Sequence, residues 1–410
     1  MRTGATAQGE AASGVKGYGG PVNAAVPTAA TRSAGRTVAA KTLRILLLNT
    51  DYPTFLRSLY RRRPGLAYRS FERQLGARNA SLFGTADFMS HHLRAAGHEA
   101  IDVHANNRPL QEAWMAESVA RFPALRRLLR RGPVVLAADE PRFYDILAAQ
   151  IAAFRPSVVY NHDIAGIPAD RLAALKPPGC ALVGQIASPL DPDIGWRHYD
   201  LVVSSLPNYV ASFRQRGITT AYLPLAFESR VLERLRPSRR DIPLSFVGSV
   251  TAAHRDRMTF LERMCAESPV EVWGDGAAAL PAGSAIRRRH RGAAWGEAMY
   301  GLLARSQITL NKHINISEGY ANNMRLFEAT GVGACLLTDW KENLGELFEV
   351  GREVLAYRSA EECLDLARRY ARDEAGRERI AAAGTARCLR DHTYERRMAQ
   401  LAGILEQHFA

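Results

Sequence analysis

The stretch "NMRLFEATGVGACLLTD", residues 323–339, places a helix, a glycine stop and a short apolar strand one after another. Counted from Met324, one face of the helix takes in Phe327, Glu328 and Gly331, which stand at the offsets 3, 4 and 7. A carboxylate on an apolar face is costly unless a partner compensates its charge. The stretch therefore predicts an α/β unit, and it predicts that Glu328 meets a charged partner or a ligand.

The same alternation of helical periods and short apolar strands continues on both sides of this stretch. The predicted strands include "RILLLN" (44–49), "EAIDVHA" (99–105), "SVVYN" (157–161), "ALVGQIAS" (181–188), "YDLVVSS" (199–205), "LSFVGS" (244–249), "VEVWG" (270–274), "ITLN" (308–311) and "EVLAY" (353–357). Helices are predicted over "LFGTADFMSHHLRAAG" (82–97) and "PRFYDILAAQIAAFRP" (141–156). This pattern is typical of doubly wound α/β domains with parallel sheets.

A polar, proline-bearing stretch, "ESRVLERLRPSRRDIPLS" (228–245), interrupts the alternation, so we predict two such domains in tandem. Their predicted bounds are 43–228 and 229–392, followed by a last helix over 393–410. Residues 1–42 are rich in Ala, Gly, Thr and Ser, which predicts a disordered tail. At 410 residues, the chain is long enough for two separate cores.

No run of the sequence reaches the eighteen apolar residues that a membrane span needs. The five cysteines lie far apart, without the spacing of a zinc site or the density of a disulfide scaffold. We therefore expect a soluble protein of the reducing cytoplasm.

The net charge of +13 comes mainly from arginine, since only five of the 54 basic residues are lysines. Arginine suits bidentate recognition of phosphate, although a GC-rich genome gives the same bias. The basic runs at 126–131 and 287–291 lack interleaved aromatic residues, so we do not expect a nucleic-acid partner. The run "FPALRRLLRR" (122–131) fits either a solvated helix face or a peripheral contact with the inner face of an anionic membrane.

Candidate binding residues follow the strands of the second domain, where open α/β sheets hold their ligands. Gly248 and Ser249 end one strand, and the next helix begins at His254 and Arg255. Lys312 follows a later strand. Helix N-termini favour anions, so these loops predict a phosphate site. The sequence has neither a GxGxxG run after its first strand nor a GxxxxGK[ST] run, which argues against a dinucleotide oxidoreductase and a P-loop NTPase.

Residues 243–400 resemble the nucleotide-binding domain of GT-B glycosyltransferases, in particular the CgeB-like group related to spore-maturation glycosyltransferases. The resemblance lies in "NNMRLFEATGVGACLLTDWKENLGELFEVGREVLAYRSAEECLDLARRY" (322–370) and in "RERIAAAGTARCLRDHTYERRM" (377–398). The run "SLFGTADFMSHHLRAAGHEAIDVHANN" (81–107) is similar to the acceptor-side domain of bacterial members. The resemblance implies two Rossmann-like domains that face a central cleft, with the last helix crossing back onto the first domain.

The resemblance also implies a role for each matched residue on the donor side. Glu328 would accept hydrogen bonds from the two hydroxyls of the donor ribose; its alternative partner is Arg325, three residues earlier. The remaining donor-binding candidates are Lys312, His254, Arg255, Gly248, Ser249, Asn322 and Asn323. The sequence departs from the wider family at Tyr320, where a second glutamate is expected; Glu318 is near that position but out of register.

On the acceptor side, His162 and Asp163 directly follow a strand, where similar enzymes present a histidine to the transferred sugar. A structural histidine at the strand end is the alternative, and the pair His91 and His92 is predicted to be structural. Asp191 and Asp193 have the D-x-D spacing of a metal site, but an ordinary turn is the preferred interpretation. We expect neither a metal nor a cofactor.

The resulting hypothesis is a metal-independent glycosyltransferase that moves a sugar from a nucleotide-diphospho-sugar to an acceptor hydroxyl, in cell-surface or secreted glycan synthesis. The acceptor would be a glycan, a lipid-linked sugar or a protein. Two alternatives stay open, namely a nucleotide-sugar epimerase on the same fold and a non-catalytic sugar-binding or surface-assembly protein. Tyr320, in place of the expected glutamate, keeps the second alternative open.

Overall fold

The computed structural model describes residues 42–119, 121, 141–189, 194–236, 239–251 and 255–410. Four sequence predictions fall outside these residues and have no structural counterpart here. They concern the tail up to residue 41, the basic run 122–131, the pair Asp191 and Asp193, and His254.

The first sheet has six parallel strands in the order β2-β1-β3-β4-β5-β6. The strands are β1 (Arg44–Asn49), β2 (Glu99–His104), β3 (Val158–Asn161), β4 (Ala181–Ile186), β5 (Leu201–Ser204) and β6 (Thr220–Tyr222). Residues 45–49 of β1 and all of β3 are buried, because helices cover both faces of the sheet. This double burial is why these strands appear in the sequence as continuous apolar runs.

The described helices of this part are α1 (Pro53–Arg62), α2 (Phe71–Asn79), α3 (Phe88–Ala95), α4 (Arg108–Ser118), α5 (Pro141–Phe154), α6 (Ala169–Leu175), α7 (Pro207–Gln215) and the short α8 (Val231–Arg234). The predicted helix over 82–97 is wrong at both ends, since only α3 is helical. Leu82 and Ala86 have positive φ angles of 57° and 41°, which a helix does not tolerate. Gly97, with a φ of 93°, lies beyond the other end.

The second sheet has five parallel strands in the order β11-β10-β9-β7-β8. Its strands are β7 (Ile242–Val247), β8 (Glu271–Trp273), β9 (Ser306–Leu310), β10 (Cys335–Asp339) and β11 (Leu355–Tyr357). Its helices are α9 (Arg255–Glu267), α10 (Ala285–Arg289), α11 (Glu297–Arg305), α12 (Met324–Gly331), α13 (Leu344–Leu347), α14 (Ala360–Arg372) and α15 (Glu374–Asp391), and the chain ends in α16 (Tyr394–Phe409). The prediction of an α/β fold with two doubly wound parallel sheets is confirmed.

Each sheet has one point at which the strand order reverses. In the first sheet it lies between β1 and β3, and in the second between β7 and β9. Loops leave such neighbouring strands in opposite directions, so a crevice opens beyond their carboxyl ends. The residues after β1, β3, β7 and β9 are therefore the ones that the fold places at binding crevices.

The last helix, α16, packs against α3 of the first part. The rings of Tyr394 and Phe88 lie 5.2 Å apart, and His98 Nε2 lies 3.4 Å from Glu406 of this helix. Just before α16, the chain forms an isolated bridge to the segment that leaves the first sheet. The backbone N–H of Phe227 donates to the oxygen of His392 at 2.8 Å, and that of Tyr394 donates to the oxygen of Phe227 at 2.9 Å.

A second backbone contact joins α11 to the loop that precedes α3. The N–H of Glu297 donates to the oxygen of Ser81 at 2.9 Å. Gly296, with a φ of 52°, sits so close to this loop that a Cβ would lie 1.8 Å from the same oxygen. Only glycine fits here, so this residue lets the two chain segments meet.

The segment between the two parts is held by polar side-chain contacts. His92 Nε2 lies 3.0 Å from the buried carboxylate of Glu228, and Arg230 binds Glu228 and Asp87 at 3.0 Å each. His92 therefore has a structural contact with this segment. Among the described helices, none is long and apolar enough to span a membrane.

Candidate functional site

The carboxyl end of β10 carries a buried carboxylate that organises the loops beside it. The Nδ1 atom of His313 lies 2.6 Å from Oδ1 of Asp339, and the His313 backbone N–H donates to the same oxygen at 2.9 Å. Lys312 and Lys341 bring their Nζ atoms to 3.4 and 3.9 Å from Oδ2. Burial raises the pKa of the Asp339 carboxyl, but His313 and Lys312 outweigh this effect and lower it to about 2. The carboxylate is therefore ionised at neutral pH.

Lys312, a predicted donor-binding residue, is consequently fixed rather than free in solvent. Besides Asp339, its Nζ atom lies over the ring of Phe260 at 5.5 Å and over that of Tyr357 at 6.0 Å. These two rings stack on each other at 5.3 Å. The lysine thus occupies a defined place at the crevice between β7 and β9, where a second anion would share its charge.

Glu328 is buried on α12, and its partner in the structure is Arg325. Nη1 of Arg325 lies 2.8 Å from Oε2, so the pair offered by the sequence as the alternative to ribose is formed. The other oxygen, Oε1, has the hydroxyl of Tyr300 at 3.5 Å. Arg325 also donates from Nε to the backbone oxygen of Val247 at 3.1 Å, which ties this carboxylate to the end of β7.

The turn after β7 holds a buried arginine that the sequence analysis did not single out. Arg257, in the first turn of α9, donates from Nη2 to the backbone oxygen of Ser249 at 2.7 Å. Its Nε atom is buried and has no hydrogen-bond partner among the described residues. Burial lowers its pKa to about 10, so the guanidinium stays charged at neutral pH. The only sequence signal for it was its position two residues after Arg255.

Gly248 and Ser249 lie where the loops after β7 and β8 come together. The N–H of Gly248 donates to the oxygen of Trp273 at 2.9 Å, and that of Val250 donates to the oxygen of Asp275 at 2.8 Å. A Cβ on Gly274 would lie 1.9 Å from the oxygen of Gly248, so this close approach requires glycine. Arg255 begins α9 beside this turn with an exposed side chain.

The helix start predicted at Asn322 lies two residues later. Helix α12 begins at Met324, and Asn323 is its N-cap, with Oδ1 accepting from the N–H of Arg325 at 2.7 Å. The Asn323 side chain is thus engaged in the cap, because the first N–H groups of a helix need an acceptor. Glu318, near the expected second glutamate, is exposed and has a φ of 47° in the turn that leads to Tyr320.

On the first sheet, His162 follows β3 at the point where the strand order reverses. Its backbone N–H donates to the oxygen of Leu48 at 3.0 Å, and its buried Nε2 atom has no partner among the described residues. Burial, followed by the nearby His104, lowers the pKa of His162 to about 4. The imidazole is therefore neutral at pH 7.

Asp163 is engaged in the same loop. Its Oδ2 accepts from the hydroxyl of Thr50 at 2.8 Å, and its Oδ1 accepts from the N–H of Gly166 at 2.8 Å. Oδ1 thus stabilises the turn after β3, and Oδ2 joins this turn to the residue that follows β1. No hydrogen bond or ion pair within the described ranges joins His162 or Asp163 to the predicted donor-binding residues. Those of them that the structure describes follow strands of the second sheet or lie on its helices.

A buried triad that the sequence analysis missed lies beside His162. Asp51, two residues after β1, is paired with Arg78 of α2 and lies 3.2 Å from Nδ1 of His104 at the end of β2. Burial raises the pKa of Asp51, but His104 and Arg78 outweigh it and hold this pKa well below its usual range. The available signal was an acidic residue directly after the first strand, in "LLLNTDYP" (46–53).

The family described as Glycosyl transferase-like matches residues 255–403, which contain Arg257, Lys312, Glu328 and Asp339. No curated protein sequence matches the chain. The family match confirms the prediction that this protein is a glycosyltransferase.

Three solved structures illustrate the likeness in fold. A glycosyltransferase from Rickettsia africae has a TM-score of 0.56 at 12% identity, over 90% of this chain and 98% of its own. HepE from Anabaena, solved with UDP-glucose, has a TM-score of 0.56 at 12% identity, over 89% of this chain and 100% of its own. A sucrose-phosphate synthase from Thermosynechococcus elongatus has a TM-score of 0.52 at 12% identity, over 89% and 98%. The fold is that of the GT-B glycosyltransferases.

Proposed function

We propose that this protein transfers a sugar from a nucleotide-diphospho-sugar, bound at the crevice of the second sheet, to an acceptor hydroxyl at the crevice of the first sheet. HepE, a protein of similar fold, has been solved with UDP-glucose, which supports a donor of this class. The CgeB-like subgroup, a cytoplasmic location and a role in cell-surface or secreted glycan synthesis belong to the same proposal. The subgroup and the role in glycan synthesis rest on the sequence of residues 322–370 and 377–398, and the cytoplasmic location rests on the five widely spaced cysteines.

The observation that carries the proposal is the guanidinium of Arg257. A buried cation is costly without a counter-charge. Arg257 has no carboxylate within ion-pair distance in the described part of the chain, and its Nε atom points to no acceptor there. A diphosphate at the turn Gly248–Ser249 would supply both the charge and the acceptors.

The surroundings of Arg257 fit the same ligand. Helix α9 begins beside the turn, and its dipole favours an anion at that end. Lys312, held by Asp339, and the exposed Arg255 add two further positive charges. We propose that these groups stabilise the leaving nucleoside diphosphate, so that the chain's own residues perform the charge stabilisation.

Glu328 is proposed to hold the donor ribose with the oxygen that Arg325 leaves available. Oε2 is paired with Arg325, whereas Oε1 has, among the described residues, only the long contact with Tyr300. A vicinal diol offers two hydroxyl donors, and a bond to an ionised group contributes about 1.5 to 3 kcal/mol. Arg325 would then orient the carboxylate rather than compete with the ribose.

His162 is proposed to accept a hydrogen bond from a sugar or acceptor hydroxyl through Nε2, which has no partner in the described ranges. Its lowered pKa keeps it neutral, so the lone pair is available at physiological pH. Asp163, whose oxygens are both engaged, would hold the loop that presents this histidine.

The test measures donor binding by calorimetry and donor hydrolysis with a panel of UDP-, GDP- and TDP-sugars. We expect Arg257→Gln to weaken binding of the preferred nucleoside diphosphate at least tenfold, or about 1.4 kcal/mol. Arg263→Gln, on the exposed side of the same helix, is the matched control and should bind as the unmodified protein does. Equal affinity of both variants would contradict the diphosphate site.

The ribose contact is tested by comparing a ligand that contains ribose, the nucleoside diphosphate, with a ligand that lacks it, inorganic pyrophosphate. Glu328→Gln should weaken binding of the nucleoside diphosphate about tenfold and should leave binding of inorganic pyrophosphate unchanged. If Glu328→Gln binds the nucleoside diphosphate as tightly as the unmodified protein, the assignment of Glu328 is wrong. Sugar isomerisation without transfer would instead support an epimerase, and binding without hydrolysis or transfer would support a sugar-binding protein.

A further inference from the structure

A cavity of about 880 Å³ lies between helix α1, helix α11 and the end of strand β8. A second cavity of about 430 Å³ adjoins it and shares Ser58, Arg62, Ala293 and Trp295 with it. The smaller cavity reaches Thr54, at the start of α1, and Asp275. Asp275 belongs to the loop that is hydrogen-bonded to the turn after β7. We call the two together the arginine cavity, and through Asp275 it adjoins the loop beside the proposed donor site.

The larger part of the arginine cavity has an apolar floor. Phe55, Leu59 and Trp273 line it and are otherwise buried in the protein. Trp295 lines it as well and packs against Phe83 with a ring distance of 4.9 Å. Binding of an apolar ligand to this floor is favourable, because water is displaced from the aromatic and aliphatic surfaces.

The walls of the arginine cavity are basic. The arginines that line one or both of its parts are Arg57, Arg61, Arg62, Arg63, Arg234, Arg236, Arg291 and Arg305, whereas the acidic residues that line it are Asp275 and Glu297. Three of the arginines are neutralised by carboxylates, since Arg234 pairs with Glu297, Arg291 with Glu271 and Arg305 with Asp241.

Three exposed arginines on α1 have no such partner. Arg57, Arg61 and Arg62 lie within ion-pair distance of no carboxylate in the described part of the chain. Arg57 and Arg61 stand four residues apart on one helix, where like charges repel. The dipole of α1 favours cations in its last turn and so accounts for Arg61 and Arg62, but it does not account for Arg57 one turn earlier. An anionic ligand would neutralise all three.

We propose that the arginine cavity binds the sugar acceptor, and that this acceptor joins a phosphate ester to a hydrocarbon portion. A guanidinium group can donate two parallel hydrogen bonds to the oxygens of a phosphate. Arg57, Arg61 and Arg62 line the smaller part and supply three such groups. The hydrocarbon portion occupies the apolar floor of the larger part. The phosphate then lies next to Asp275, on the side where the donor is proposed to bind, so a sugar attached to it reaches the reaction. This inference rests on the proposed function, because the ligand of the cavity is an acceptor only if the protein transfers a sugar.

The test uses binding in the absence of any sugar donor. Trp273 and Trp295 line the cavity, so a ligand there changes the tryptophan emission of the full-length protein. The probes are decyl phosphate below its micelle concentration, decanol and inorganic phosphate. We expect decyl phosphate to bind at least tenfold more tightly than either of the other two. Equal binding of inorganic phosphate would overturn the hydrocarbon site, and equal binding of decanol would overturn the phosphate site.

The contribution of the arginines is tested with a triple variant, Arg57→Gln, Arg61→Gln and Arg62→Gln. It should lose at least tenfold in affinity for decyl phosphate and should bind the nucleoside diphosphate unchanged. The matched control replaces three exposed arginines that do not line the cavity, Arg214, Arg216 and Arg372, by glutamine and should bind both ligands normally. Unchanged decyl phosphate binding in the first variant overturns the proposal. A protein that binds decyl phosphate but no nucleotide would refute the proposed function and leave the cavity assignment standing.

Discussion

At the scale of single residues, several functional candidates are charged groups that the fold buries near strand ends. Asp339 and Asp51 are each held by a cation from a neighbouring element, whereas Glu328 is held by Arg325 of its own helix. Such pairs contribute little net stability, but breaking one leaves a costly buried charge. Their geometry is therefore strongly fixed, as a binding site requires.

Some functional residues could be predicted from their neighbours in the sequence, and others could not. Glu328 was identified because its place on an apolar face shows in the order of residues alone. Its pairing with Arg325 is local too and was foreseen as one alternative. The triad of Asp51, Arg78 and His104 was missed, because its members come from separate elements that meet only through the sheet order. Arg257 was missed because its contact with Ser249 depends on how the turn after β7 folds back against α9.

The pKa of His162 makes the stability of the protein depend on pH. Burial lowers this pKa to about 4, so between pH 6.5 and 4 the unfolded chain binds a proton that the folded chain does not. The stability is therefore present above pH 6.5 and is lost as the pH falls to 4, by roughly 3 kcal/mol for this group. His162→Gln should remove that part of the loss, as measured by urea unfolding at pH 7 and pH 4.5.

His392 also has a pKa lowered to about 4, chiefly by burial, and is unchanged in the variant. The difference between the two proteins thus isolates His162. NMR titration of the imidazole gives a direct check, and a midpoint near 6.5 for His162 would refute the buried, neutral state.

At the scale of elements, the sequence predicted strands better than helix ends. Strands buried on both faces appear as continuous apolar runs, whereas the end of a helix depends on a few backbone angles. The predicted helix over 82–97 shows this, because its first residues form instead the loop that receives α11. That contact is made across more than two hundred residues of sequence, and no local pattern reports it.

The contact between α11 and this loop predicts a sharp dependence on Gly296. Gly296→Ala should lower the free energy of unfolding by about 2 kcal/mol or more, since it adds a clash with Ser81 to an unfavourable positive φ. Urea unfolding measures the change. Gly301→Ala is the control within the same helix, because a Cβ there meets nothing within 4 Å. It should stabilise the protein by about 0.5 to 1 kcal/mol, and equal effects of the two substitutions would contradict the close approach.

At the scale of the whole molecule, the two sheets share one continuous apolar core. Buried residues of β1, of α12 and of α16 belong to the same cluster. Two tandem sheets were predictable from the repeated alternation in sequence. The family resemblance also implied that the last helix crosses back onto the first domain, and α16 does lie against α3. The continuity of the core follows from this long-range contact and not from the local alternation.

The shared core predicts that damage to α16 weakens both sheets together. Leu401 is fully buried, so Leu401→Ala should cost about 2 to 5 kcal/mol. Hydrogen exchange followed by mass spectrometry should then show faster exchange in β1 and in β10 alike. Gln407→Ala, at an exposed position of the same helix, should leave both strands protected as before. Faster exchange confined to the first sheet would contradict a common cooperative unit.

The bridge between Phe227 and the residues around Thr393 also limits how the two parts move. The chain leaves the first part beside Phe227 and returns to it beside Thr393, and the two passages are hydrogen-bonded side by side. These two neighbouring passages of the chain define a single axis, so we expect any rotation of one part relative to the other to take place about that axis. The angle between the two parts then controls access to both crevices. The hydrogen bond from Glu297 to Ser81 joins the parts away from this axis, so it must break before the angle can increase.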